Sequence, residues 1–494
     1  MRRGSVYPDL FLFYALCASM GGMSDYRAYF KGKKVTLMGL GLLGRGLGDA
    51  IFLAEHGAEL IVTDLRSRED LAPSLEKLKK YTHIRYTLGE HKLEDFRNRD
   101  FIVKAAGVPL DSLYILEAQK KGIPVEMDAS LFAKLMPKGV VLVGVTGTRG
   151  KSTTTALIYE ILNSCGGLTS TRKSVEVRPP QPAVYKGGNL VPEATLPLLK
   201  KVKSGDIVVL ELDSWQLQGF RDAKISPQVA VFTTFLDDHL IYYKGDHARY
   251  FEDKVAIFKY QKSSDLLIAG ERVAENIGKS EVPVNGDFII TKREDVPTDW
   301  NIPIPGEHNL ENIACAIAVA KHFGISDNIA QKAVQNFKAV PGRLEFVREV
   351  KSVKIYNDTN ATTPDATIAG LRALGSTSKT GQEVEPKHIV LIMGGTDKGL
   401  DMGKLVAEIP KHCKGLVLLK ETGTDKISSK LEALSSKNFQ LKNEETLKEC
   451  VEGAMKIAKK GDVVLFSPAF PSFGKWFKNE YDRGAQFVEL VKKL

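Results

Sequence analysis

Lys151, Ser152 and Thr153 stand directly behind a glycine turn, in the stretch VLVGVTGTRGKSTTT at residues 141–155. That order of residue types builds a phosphate cradle. Gly147 and Gly150 let backbone N–H groups converge on an anion around Thr148, a helix starting at the turn adds partial positive charge, Lys151 reaches the outer phosphates, and a hydroxyl of Ser152 or Thr153 ligates Mg²⁺. The strict G-x-x-x-x-G-K-[ST] pattern asks for glycine at position 145, where this chain carries Val145, so the loop is a variant whose specific part is the terminal GKS. A plain turn before an ordinary helix gives no reason for a lysine followed by four hydroxyl residues.

Further side chains have types suited to the same chemistry. The apolar run Ile207, Val208, Val209, Leu210 reads as a buried strand that delivers Glu211 at its C-terminal end. An acidic Mg²⁺ partner belongs there in an α/β ATPase, and a strand-end acid also serves as a solvated group or a helix cap. His239 follows Asp237 and Asp238 just beyond the strand-like residues 229–234, a better ligand position than an apolar helix face. Lys254 falls in a helix-like run, 248–258, and by itself reads as a solvated lysine. Asn309 precedes an alanine-rich helix, where it either hydrogen-bonds a base or caps that helix. Arg343, in the Pro341-Gly342-Arg343 turn, suits phosphate charge or solvent.

The elements that must position these groups are strands that run into polar loops. Residues 35–38 form a strand, GLGLLG (Gly39, Gly41, Gly44) a tight turn, the run to His56 a helix, and residues 59–62 a second strand ending at Asp64. This is the G-x-G-x-x-G fingerprint with its later acid, which taken alone predicts a nicotinamide site. The glycines, however, report only a close backbone approach to phosphate, which any nucleotide diphosphate satisfies. Residues 101–103 and then Ala106-Gly107-Val108-Pro109 place a further loop at the same sheet edge, and Pro137 marks a boundary near residue 135. In the central region, Gly187-Gly188-Asn189 has the character of a binding turn. The last region repeats the theme: strands at 353–356, 389–393, 416–419 and 463–466 are followed by clusters such as those holding Asp358, Thr362, Lys398 and Ser472. These repeats describe α/β domains with ligand edges.

Composition sets the bounds. A chain of 494 residues that is 43% apolar buries a large core and divides into several domains. A net charge of +9 is modest, and with no aromatic-interleaved basic tract it argues against nucleic acid as a partner. The cysteines at 17, 165, 315, 413 and 450 are far apart with no CxxC pair, as expected for buried thiols in a reducing compartment. Arg2 and Arg3 precede a short apolar run, 10–18, which is too short to span a bilayer comfortably. Residues 1–32 therefore read as a leader or disordered extension.

The chain resembles the Mur ligases over roughly residues 33–494. The resemblance is carried by TGTRGKSTTT, ELDSWQL with Glu211, DDH with His239, PGEHNLEN, PGRLEFV, NDTNATTP, MGGTDKG and LFSPAFPSF followed by FKNEYDRG, in that order. It implies a three-domain α/β architecture: a Rossmann-like UDP-sugar-binding domain at 33–135, a central P-loop ATPase domain at 136–340 and a Rossmann-like amino-acid-binding domain at 341–494. Within the family it points to the branch that joins D-glutamate to UDP-N-acetylmuramoyl-L-alanine through an acyl phosphate, using ATP and Mg²⁺, in peptidoglycan synthesis. It also implies a cytoplasmic monomer without stable membrane insertion and without NAD(P). The alternative is a sister Mur-type or folylpolyglutamate-like ligase with another acceptor or amino acid.

Carried onto this chain, the resemblance gives ATP and Mg²⁺ to Gly147, Thr148, Gly150, Lys151, Ser152 and Thr153, with Glu211 and His239 completing the metal sites. Lys254 becomes a lysine carbamylated by CO₂ that helps to position the metal. Asn309, Arg343 and Asp358 contact ATP. Gly41, Leu42, Asp64, Arg66 and Asn189 surround the UDP-sugar, and Thr362, Lys398 and Ser472 the D-glutamate. Three departures stand out: Arg149 replaces the asparagine usual before GKS, Asn360 stands where lysine is common, and the segment from Ser472 to Arg483 is one residue longer than usual.

Overall fold

A computed structural model describes residues 26–42, 44–164, 182–236, 242–375, 388–433, 439–472 and 476–494. It contains three sheets. The first comprises β1 (Lys34–Met38), β2 (Glu59–Asp64), β3 (Arg85–Leu88), β4 (Phe101–Lys104) and β5 (Val125–Glu126), all parallel, in the order β3-β2-β1-β4-β5. The strand order reverses between β1 and β4, so the loops behind these two strands flank the crevice at which such sheets take ligands.

The second sheet holds β6 (Val141–Thr146), β7 (Val184–Gly188), β8 (Ile207–Glu211), β9 (Val229–Phe232), β10 (Leu266–Gly270) and β11 (Asp287–Thr291), in the order β11-β10-β9-β6-β8-β7 and again all parallel. Its central strands are unbroken apolar runs, as burial on both faces requires: every residue of β6 and β8 is buried. One hydrophobic core runs through both sheets, from Val35, Leu37 and Phe52 to Leu142, Val208 and Phe232. Accordingly the described residues within 1–298 and 311–334 form one compact unit.

Residues 299–310 and 335–494 form the second unit. Its sheet contains β12 (Glu345–Val350), β13 (Val353–Asn357), β14 (Ile389–Met393), β15 (Cys413–Leu419), β16 (Gln440–Glu444) and β17 (Val463–Phe466), in the order β12-β13-β17-β14-β15-β16. Only β12 is antiparallel, paired at the edge with β13. Cys413 and Cys450 are buried here and Cys315 in the first unit, and burial pushes all three thiols up, so they pack as small apolar residues.

One boundary read from the sequence needs correction. The reading of residues 1–32 as a leader or disordered extension fails for the helix Tyr26–Phe30, whose buried Tyr26 and Phe30 pack on Phe52 and Phe101. Two aromatics at i and i+4 on a single short turn carry too little periodicity to be read as a helix in advance. Among the described residues no helix is long and apolar enough to cross a membrane.

Candidate active site

The cradle is built at the end of β6. Register places Val145 beside Glu211 of β8 and Thr146 beside Phe232 of β9, so the loops behind all three strands share one edge. Val145, the departure from the strict motif, is a fully buried strand residue outside the turn. Gly147 has φ 150°, and a Cβ there would lie 2.1 Å from Thr233 Oγ1; Gly150 has φ 83°, and its Cβ would meet Asn312 Oδ1 at 2.3 Å. Both positions therefore exclude a side chain by space as well as conformation. The loop behind β9 laces the turn shut: Thr148 N–H donates to Thr234 O (2.7 Å), Arg149 N–H to Thr234 Oγ1 (2.8 Å) and Thr233 Oγ1 to Arg149 O (2.5 Å). Lys151 folds over this loop and donates from Nζ to Gly147 O at 2.9 Å and Thr148 O at 3.1 Å. The helix Lys151–Ser164 begins there, with Ser152 buried and Thr153 half-buried in its first turn.

Lys254 contradicts its reading as a solvated lysine. The helix His247–Val255 turns it inward, leaving it 1% exposed, and Nζ donates to Gly147 O at 3.0 Å, with Thr146 Oγ1 at 3.5 Å and the Tyr250 ring centroid at 5.0 Å. Tyr250 in turn places its hydroxyl 3.1 Å from Thr148 Oγ1. Beneath lies Asp253, fully buried, which accepts hydrogen bonds from Gln218 Nε2 (2.7 Å), Tyr243 Oη (3.0 Å) and the Arg221 guanidinium. Burial raises the Asp253 carboxyl, and these donors oppose the shift. Spacing alone could not say which face of this short helix is covered.

Glu211 is 1% exposed and its Oε2 has no hydrogen-bond partner among the described residues. An orphaned buried carboxylate oxygen at a strand end beside a phosphate cradle fits a divalent cation. His239 lies outside the described residues, among which no group of three or more His, Cys, Asp or Glu side chains gathers. Next to Glu211, Gly188 has φ 69° and a Cβ there would come within 2.2 Å of Glu211 O, and Asn189 N–H donates to that same carbonyl at 2.8 Å.

At the first sheet, Gly39, Gly41 and Gly44 all have positive φ. Asp64 is buried and spends its carboxylate on the turn: Oδ2 accepts Gly41 N–H at 2.9 Å and Oδ1 accepts Arg66 N–H at 2.9 Å, while the Arg66 guanidinium stands 3.6 Å away. Leu42 is exposed. Asn189 connects to this region through Arg45, whose Nη1 donates to Asn189 Oδ1 at 2.8 Å and whose Nη2 donates to the Asn189 and Val191 carbonyls at 3.1 and 3.0 Å. Sequence reading missed Arg45; its signal was a lone cation directly behind the GLGLLG turn.

In the second unit, Thr362, Lys398 and Ser472 occupy the loops behind β13, β14 and β17, strands that are neighbours in the sheet. Ser472 is fully buried and its hydroxyl has no partner among the described residues. Arg483, also missed, is fully buried beneath these loops: it donates to Thr359 O (2.8 Å), Thr359 Oγ1 (3.1 Å) and Phe470 O (3.1 Å), and burial pulls its guanidinium down to about 10. Asp358 accepts Leu344 N–H at 3.1 Å and Ser467 Oγ–H at 2.8 Å, and burial raises its carboxyl to about 7. Arg343, half-buried, lowers that value by its charge. Asn309 lies inside the helix Glu307–His322, which excludes it as the cap; its Nδ2 donates back to Pro305 O at 2.7 Å. Asn360 is turned to Pro341 O at 3.2 Å.

A parallel sheet whose central strand opens into a phosphate cradle, preceded by a glycine-turn sheet and followed by a third with polar loops at adjacent strand ends, is the plan of a multidomain amide-forming ligase. The chain belongs to the Mur ligase family: residues 33–126 match the MurD-like N-terminal domain, 145–320 the Mur ligase middle domain and 342–470 the glutamate ligase domain. It is 35% identical to the UDP-N-acetylmuramoylalanine–D-glutamate ligase of Roseiflexus sp. (strain RS-1), across 94% of this chain and 99% of that protein. With the ligase of the same name from Geotalea uraniireducens (strain Rf4) it shares 32%, across 94% and 98%. Among solved structures, MurC of Thermotoga maritima has a TM-score of 0.59 at 20% identity, over 93% of this chain and 99% of that one. The Thermotoga maritima MurF ligase in complex with ADP has a TM-score of 0.54 at 20% identity, over 94% and 96%. These two likenesses are of fold.

Proposed function

We propose that this protein joins D-glutamate to UDP-N-acetylmuramoyl-L-alanine in an ATP-dependent step of peptidoglycan synthesis, acting in the cytoplasm as a monomer. The observation that carries the proposal is similarity, along nearly the whole chain, to ligases of that name, together with a cradle whose two glycines leave no room for a side chain. In this reading residues 33–135 bind the UDP-sugar, 136–340 the nucleotide and 341–494 the amino acid.

A carboxylate is a poor electrophile. The L-alanyl carboxylate oxygen therefore attacks the γ-phosphorus of ATP, ADP leaves, and the acyl phosphate that results is attacked by the amine of D-glutamate; the amine loses a proton and phosphate departs with the electron pair. Negative charge accumulates on phosphoryl oxygens in both steps. Lys151 and the N–H groups of Gly147 and Gly150 meet that charge, joined by the Arg343 guanidinium, with Thr148 shaping the turn, while Asn309 and Asp358 hold the nucleotide. Ser152, Glu211, His239 and Lys254 would hold Mg²⁺, which would supply neutralising charge for the same oxygens. In this reading Lys254 acts as a carbamate, formed when its amine adds CO₂ and releases a proton; the support for it is the burial of this lysine next to the cradle. Gly41, Leu42, Asp64, Arg66 and Asn189 bind the UDP-sugar in this reading, which takes NAD(P) as no cofactor. Lys398, Thr362 and Ser472 take the carboxylates of D-glutamate, one by charge and two by hydroxyl.

The test is phosphate release with each substrate omitted in turn. Release that requires ATP, the UDP-muramoyl acceptor and the amino acid together supports the proposal; release with nucleotide alone, or a saturable response to NAD with none to the UDP-sugar, refutes it.

A further inference from the structure

The loop behind β4 rests on a buried lysine that none of these roles uses. Lys104 ends β4 and is 2% exposed, whereas Ala105, Gly107 and Pro109 above it are exposed. Its Nζ donates to Val108 O at 2.9 Å and Ala106 O at 3.2 Å, with Ala105 O at 3.5 Å. No backbone N–H reaches the Ala106 or Val108 carbonyl among the described residues, so the ammonium is their only protein donor there. On one side the loop abuts the glycine turn: a Cβ at Gly39 would lie 2.8 Å from Ala105 Cβ. On the other it faces the helix Ser214–Ala223, where a Cβ at Gly107 would lie 3.9 Å from the Trp215 ring, and Asp111 pairs with Lys244 at 3.0 Å. No carboxylate pairs with Lys104 among the described residues; Asp213 behind β8, Asp222 of the helix Ser214–Ala223 and Asp253 of the helix His247–Val255 act on it from farther away.

We propose that Lys104 is a positioning residue for the acceptor: its ammonium, bonded to the carbonyls of residues 105, 106 and 108, fixes this loop beside the glycine turn and keeps an unneutralised positive charge beneath the edge that receives the diphosphate. The proposal rests on the UDP-sugar reading of the glycine turn. Removing the ammonium strands two carbonyls without a donor and deletes the charge at once. Burial pulls the Lys104 amine down to about 8, against the three aspartates, so the charge is lost as pH rises through that value while the neutral amine keeps two N–H donors for the carbonyls.

The experiment compares the full-length wild type with Lys104→Met by calorimetric titration with UDP-N-acetylmuramoyl-L-alanine and, separately, with ADP. Acceptor affinity is expected to weaken about tenfold or more, with ADP affinity and kcat at saturating acceptor held within about twofold. Amide hydrogen exchange at residues 105–108 is expected to quicken in the variant. Acceptor affinity within about twofold of wild type, with unchanged exchange in this loop, overturns the proposal. Should the variant not fold, Lys104→Gln, which keeps an N–H donor for the carbonyls and removes the charge, decides: acceptor affinity is expected to weaken several-fold, and affinity within about twofold of wild type overturns the proposal. A wild type that binds no UDP-sugar at any pH overturns the parent reading, and this one with it.

Discussion

Both β1 and β6 run into glycine turns at the start of a helix, and the two turns are braced by groups of opposite character. Behind β1 the brace is a carboxylate: Asp64 holds the N–H groups of Gly41 and Arg66. Behind β6 the braces are the hydroxyls of Thr233 and Thr234, with Lys151 and Lys254 both donating to Gly147 O. A turn that spends N–H groups on an internal anion has less positive field to offer, and its acid favours ligand hydroxyl and N–H donors. A turn overlaid by Lys151 and braced by neutral hydroxyls suits a triphosphate with its metal. The two glycine turns, G-x-G-x-x-G behind β1 and G-x-x-G-K-S behind β6, thus differ in the residues that brace them.

The sharpest break in this comparison comes from Lys151→Ala. It should lower kcat by about 10³-fold or more while circular dichroism stays unchanged, because the cation meets charge that develops only in phosphoryl transfer. Near-normal turnover with ordinary nucleotide saturation would remove the cradle from the mechanism. Gly150→Ala adds a Cβ that meets Asn312 Oδ1 at 2.3 Å in a backbone with φ 83°. It should cost about 10²-fold in kcat/KM for ATP and little in acceptor binding.

On the other turn, Asp64→Ala should act on the acceptor alone. The expected effect is a KM for UDP-N-acetylmuramoyl-L-alanine raised about tenfold at constant kcat and constant ATP affinity, since the loss of two hydrogen bonds loosens the turn without touching the cradle. Equal losses in both substrates would mean the turns are not separate devices.

How much of this could be read in advance differs between the two turns. The glycines, Lys151 and Glu211 are contiguous or strand-end features, so local pattern located them. Lys254, Asn312 and Arg483 owe their importance to which face of a helix is covered and by what, and that is decided by packing between segments far apart in sequence. Lys254 taken by itself read as a solvated lysine, in a helix-like run, 248–258, that also holds apolar residues, and nothing in the spacing said that the lysine shares their buried side. Asn312 was visible only as one letter of PGEHNLEN, yet its side chain limits Gly150 and binds Thr154 Oγ1 at 3.2 Å. The three sheets were legible because buried parallel strands are apolar runs, whereas the edge strands β3, β7, β12 and β16, of which β12 is antiparallel, carry mixed residues and give a weaker signal.

The smallest expected effect concerns Asp358, a group outside both turns. Burial raises its carboxyl from 3.8 to about 7. The folded unit then holds a proton that the unfolded chain releases, so this group's contribution to stability is full below about pH 4 and is lost as pH rises through 7. Asp358→Asn should therefore be more stable than wild type by about 1–2 kcal/mol at pH 8, with the difference vanishing towards pH 4, and less active throughout. Thermal melts of both proteins across that range check the sign.

The most direct measurement is the mass of the product formed when the protein, ATP, Mg²⁺ and UDP-N-acetylmuramoyl-L-alanine are given D-Glu, L-Glu, D-Gln, D-Asp, Gly and L-Lys in separate reactions. The D-glutamyl product is expected to dominate, with kcat/KM at least about tenfold above any other amino acid, or about 1.4 kcal/mol of transition-state discrimination. Preference of that size for another amino acid, or for no amino acid at all, contradicts it.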